Sequence, residues 1–102
     1  MSLEQLGRLR RWMAHRDHLE VEERELVEQV IALQRATDRD VRRSTHLTRQ
    51  QALGAAERAQ ALGGALAGLV VARQRRSALD RAIGRLATGL RRELARRQLK
   101  GT

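Results

Sequence analysis

His15 and His18 stand three residues apart with Asp17 between them. On a helix that spacing turns two imidazoles to one face, as in some metal sites. A metal site needs a third and a fourth ligand, and the remaining histidine, His46, lies far along the chain. The pair is therefore read as surface side chains, and no metal ligand is assigned. Glu20, Glu22, Glu23, Glu25 and Glu28 crowd together closely enough to resemble the paired carboxylates of general acid–base catalysis. They read instead as a solvated face matched to arginine. No Ser-His-Asp arrangement, phosphate loop or Gly-x-Gly-x-x-Gly is present. Nothing supplies a nucleophile, a base and a pocket together, so the chain is expected not to be an enzyme and to use no cofactor.

The other chemistry available is that of arginine. Arg81, Arg85, Arg92 and Arg96 are spaced 4, 7 and 4 residues apart. At about 100° per residue they share one helix face. Leu79, Ile83, Leu86, Leu90 and Leu94 fall on the opposite face. Arg81 with Arg85, and Arg92 with Arg96, are like-charged pairs that mildly destabilise an isolated helix. Such a ridge either meets an anionic partner or is an ordinary solvated face. The net charge is +9, and residues 73–102 carry +8 of it, with nine Arg and Lys100 against Asp80 and Glu93. An acidic protein, a nucleic acid or an anionic surface would be drawn to that end. Nucleic-acid binding is disfavoured, because no aromatic residue is placed to stack on bases and no helix-turn-helix or basic-zipper layout is present.

The elements that must position these residues are helical. None of the 102 residues is proline, Trp12 is the sole aromatic, and apolar residues recur at helical spacing. Charged residues make up 32%, which with abundant Ala, Leu and Arg is the composition of coiled coils. Helix 1 is expected over about 3–43, with Ser2 as N-cap and a stripe of Leu3, Leu6, Leu9, Met13, Leu19, Leu26, Val30 and Leu33. The pattern thins after Gln34, and a bend is expected at about 44–48. Thr48-Arg49-Gln50-Gln51 reads as a capping box opening helix 2, over about 49–99. Its expected core is Leu53, Leu62, Leu66, Leu69, Leu79, Ile83, Leu86, Leu90 and Leu94, and Gly101 is its expected terminator. Gly63-Gly64 and Gly68 either let a neighbouring helix approach or break helix 2, giving three helices. The reading is an all-α, antiparallel two-helix coiled-coil hairpin forming a single domain, 1–102. A bend centred on Thr45 to Leu47 makes facing residues sum to about 92, so that Leu6 faces Leu86, Met13 faces Leu79 and Leu26 faces Leu66.

Other classes fall away on composition. There is no cysteine, so neither a disulfide framework nor a thiolate site can form, which fits a reducing, cytoplasmic setting. The N-terminus lacks an apolar run of signal-peptide length. The longest weakly polar run, Ala59 to Ala72, is shorter than the roughly 20 residues of a membrane span.

The whole layout resembles the small stalk proteins of type III secretion and flagellar export, the YscO/FliJ family. The resemblance is carried by the stripe from Leu3 to Leu33 with LEVEERELVEQVIALQRA, the polar middle, and the arginine-rich helix ending RRELARRQLK. It implies a cytosolic, non-enzymatic antiparallel coiled coil that binds an export ATPase, export chaperones or both. It places the ATPase-facing end where the termini meet, at Arg8, Arg10 and Arg11 with Arg91, Arg92, Arg96 and Arg97. A self-assembling helical scaffold or small chaperone, forming a homo-oligomer, and a basic nucleic-acid-associated protein are the alternatives.

Overall fold

The computed structural model describes residues 2–100. They form an all-α helical hairpin of two elements, α1 (Leu3–Arg42) and α2 (Arg49–Lys100). Gly101 lies outside the described residues. Both helices open with the same device. The Ser2 hydroxyl accepts from the Gln5 amide at 3.2 Å while the Gln5 side chain accepts from the Ser2 amide at 3.3 Å. Thr48 and Gln51 repeat this at 3.2 and 2.9 Å. Each box satisfies two backbone donors that a helix start leaves unpaired.

Between the helices the chain turns without proline, and without a positive φ among the described residues. The end of α1 tightens to three-residue bonds: Ser44 donates to the Val41 carbonyl at 3.2 Å and His46 to the Arg43 carbonyl at 2.9 Å. Tightening of this kind satisfies terminal carbonyls without a glycine cap.

The chain divides into two compact units, Val21–Arg73 and Met1–Glu20 with Gln74–Thr102. In the unit containing the bend, α1 turns Glu23, Leu26, Val30, Leu33, Thr37 and Asp40 inward, at alternating steps of three and four. Opposite them α2 presents Ala55, Arg58, Leu62, Ala65, Leu69 and Ala72, of which Leu69 and Ala72 are buried. These are the a and d positions of a heptad seam. In the other unit the seam consists of Gln5, Leu9, Trp12, Arg16 and Leu19 from α1, with Arg76, Leu79, Ile83, Leu86, Leu90 and Glu93 from α2. Leu19 and Leu90 are buried there.

The seam differs from the expected core at several positions. Leu3, Leu6 and Met13 are exposed, and Leu9 with Trp12 takes the inward place. Leu53, Leu66 and Leu94 are likewise exposed. A heptad seam steps three and then four, so between Leu62 and Leu69 it uses Ala65 and leaves Leu66 about 100° round on the flank.

The pairing register is also shifted. The numbers of Asp40 and Arg58 sum to 98, those of Glu23 and Arg73 to 96, and those of Arg16 and Asp80 to 96. Leu26 packs on Gly68, its Cδ2 lying 3.7 Å from where a Cβ would stand. The facing sum is thus 94–98 in place of 92.

α2 runs unbroken through Gly63 and Gly64, so the three-helix arrangement does not form. Only part of the close-approach reading holds. α1 comes against Gly68, whereas nothing lies within 4 Å of the Cβ positions of Gly63 and Gly64.

One polar seam contact is bidentate. Arg58 donates to both carboxylate oxygens of Asp40, at 2.7 and 2.8 Å. These bonds hold the Asp40 carboxyl below its ordinary 3.8, against desolvation, which acts the other way. A carboxyl with a depressed folded value stabilises the fold above its unfolded value, and loses that contribution as pH falls through the folded one. The Asp40→Asn variant should therefore melt below the parent at pH 6, and the gap should close as both are titrated below about pH 4. A gap that stays constant from pH 6 to pH 2 would remove the ion pair as its cause. Leu19→Ala, which empties a buried seam position, should cost about 2–5 kcal/mol in urea unfolding followed by circular dichroism. A loss below about 0.5 kcal/mol, the range of surface substitutions, would place Leu19 outside the seam.

Candidate interaction surface

The seam consumes the inward faces of both helices, so any working surface lies on their outer faces. On α2, in the unit that holds residues 74–102, Arg81, Arg85, Arg92 and Arg96 are all exposed on the side away from Ile83, Leu86 and Leu90. Three of them flank a shallow depression with Thr88, over Gly84 and Gly89. Nothing approaches within 4 Å of where the side chains of those two glycines would begin.

The two carboxylates nearest the ridge are engaged by other arginines, although Arg96 also bears on Glu93 through space. Asp80 is engaged by Arg76 at 3.2 Å and lies 3.9 Å from Arg16, and Glu93 is engaged by Arg97 at 3.0 Å. Those are the two acidic residues of this stretch of α2. Among the described residues Arg81, Arg85, Arg92 and Arg96 form no ion pair.

The terminal arginines belong to the same unit. Arg8, Arg10 and Arg11 are exposed on α1, and Arg91 and Arg97 are exposed on α2. The register set by Arg16 and Asp80 brings Arg8–Arg11 level with about residues 85–88, while Arg96 and Arg97 lie further along α2. The basic surface is broader than the ridge alone, but the two arginine groups are offset along the hairpin.

His15 and His18 are exposed, and among the described residues no three His, Cys, Asp or Glu side chains gather as metal ligands would. Glu20, Glu22, Glu25 and Glu28 are exposed, whereas Glu23 turns into the seam, its side chain 15% exposed and bonded to Arg73 at 3.2 Å.

A second surface is not arginine-based. From Ala59 to Ala72 the chain has no charged residue. Only Leu62, Ala65, Gly68, Leu69 and Ala72 of that stretch are turned toward α1. Ala59, Gln60, Gly63, Gly64, Leu66, Ala67, Val70 and Val71 are exposed, with Leu66 at 45%, Val70 at 54% and Val71 at 44%. The lack of charge is visible in the sequence, but its outward exposure follows from the seam register.

No protein-family model, curated protein or solved structure matches the chain. No helix among the described residues is long and apolar enough to cross a membrane. The fold places the chain in the class of two-helix antiparallel hairpins.

Proposed function

We propose that the chain is a non-enzymatic coiled-coil adaptor that docks an acidic protein partner on the ridge of Arg81, Arg85, Arg92 and Arg96. The observation that carries this reading is that, among the described residues, none of the four arginines forms an ion pair, while the neighbouring carboxylates are engaged by other arginines. Four like charges held on one face repel each other, and an acidic surface relieves that repulsion. The resemblance to export stalk proteins supplies the candidate partner: the export ATPase of a type III or flagellar apparatus, its chaperones, or both. In that setting Arg8, Arg10, Arg11, Arg91 and Arg97 extend the contact, and the protein works in the cytoplasm. A second reading, a self-assembling helical scaffold, is favoured by the uncovered apolar band at 59–71.

The adaptor reading is tested by capture from nuclease-treated bacterial lysate, with bound proteins identified by mass spectrometry. An export ATPase or export chaperone should be retained. Arg92→Glu with Arg96→Glu should leave the helical signal intact and weaken that binding about tenfold or more. Unchanged binding after both reversals would reduce the ridge to a solvated face. Capture that depends on omitting nuclease, and that falls steeply with salt, would assign the ridge to phosphate contacts instead.

A further inference from the structure

We propose that two copies of this chain pair through the outer face of α2 between Ala59 and Val71, running antiparallel. The inference goes beyond the adaptor reading, since the ridge arginines lie outside this face, and it gives the scaffold reading a defined surface.

A helix that is apolar around its whole circumference is normally covered on all sides. Between Ala61 and Ala72, α2 carries no polar side chain, and α1 covers one side of it. Leu66, Val70 and Val71 remain about half exposed, beside Gly63 and Gly64, whose missing side chains leave room for another backbone to come close.

Charge selects the occupant and its direction. The band is uncharged, so its mate must also be uncharged, and the same band on a second copy meets that requirement. Residues 21–73 are close to neutral, with seven acidic residues and eight arginines, whereas residues 73–102 carry +8. A parallel pair would lay one strongly basic segment along the other. An antiparallel pair centred on residues 65–66 carries those segments to opposite ends, and two-fold symmetry closes the assembly at a dimer.

The chain has no cysteine, so single cysteines report on pairing directly. The full-length protein at tens of micromolar should sediment at twice its monomer mass. Leu66→Glu with Val70→Glu should sediment as a monomer while keeping its helical circular dichroism. Under mild oxidation Ala67→Cys should cross-link to itself, because it lies next to the dyad. Ala59→Cys should not, because its mate is then about 20 Å away along the axis. A monomeric parent, or a dimer that survives both glutamates, overturns the proposal. Self-cross-linking at both positions overturns the antiparallel arrangement. A lost partner contact at Arg92 and Arg96 leaves all of these readouts unchanged, so the adaptor reading and this one fail separately.

Discussion

Each unit of this hairpin rests on a seam only a few side chains wide, and that narrowness governs the rest of the structure. With no aromatic core and only four buried residues among those described, apolar burial alone specifies alignment weakly. Leucine and alanine repeating every three or four residues pack nearly as well after a shift of one heptad. The polar residues on the seam remove that ambiguity. Asp40 meets Arg58 in a two-bond contact and Glu23 meets Arg73. In the other unit Asp80 sits between Arg76 and Arg16. A slipped register would break these pairs and leave the largely covered Asp40 and Glu23 carboxylates without their arginines. Arg16 shows how tight the accommodation is, since its Nε is buried without a hydrogen-bond partner and stands 3.9 Å from Asp80.

The parts of this fold that are legible in the sequence are those with local causes. The Thr48–Gln51 box announces the start of α2, and Ser2 marks the start of α1. The reciprocal Gln5 was equally readable, being three residues on. The heptad through Leu19, Leu26 and Leu33 identifies the seam of α1. Extending it seven residues each way reaches Trp12 and Asp40, and its companion positions are Arg16, Glu23, Val30 and Thr37. Following leucine in place of the period led instead to Leu6 and Met13. Thr37 shows why a polar residue is tolerated there, because its hydroxyl bonds back to the Leu33 carbonyl at 2.8 Å. The register was the least legible feature. Apolar pairs match under several alignments, and cross-helix ion pairs that choose among them are contacts between residues 18 to 64 positions apart.

Internal pairing also determines what remains outside. Asp40, Glu23, Asp80 and Glu93 are all engaged by arginines. With 21 basic residues against 12 acidic ones, engaging those carboxylates leaves the surplus cations on outer faces. The surplus falls mostly in the last 30 residues, while the neutral stretch falls in the unit with the bend. Two outer surfaces of contrasting character result. One is cationic and suited to an acidic partner, and the other is uncharged and suited to close helix packing.

The glycines of α2 bear on the same division. A glycine within a helix costs about 1 kcal/mol relative to alanine, so each needs a compensating contact. Gly68 has one in Leu26, whose Cδ2 comes within ordinary van der Waals reach, 3.7 Å, of the Cβ position. Gly54 has another: a Cβ there would meet the Arg58 guanidinium at 3.3 Å, so glycine clears the path by which Arg58 reaches Asp40. Gly63, Gly64, Gly84 and Gly89 have no neighbour within 4 Å, and the hairpin itself gives no reason for them. The first pair lies in the apolar band and the second pair in the floor of the arginine ridge. The glycines that internal packing leaves unexplained thus fall on the two faces whose charge and exposure already suit them to meet another molecule.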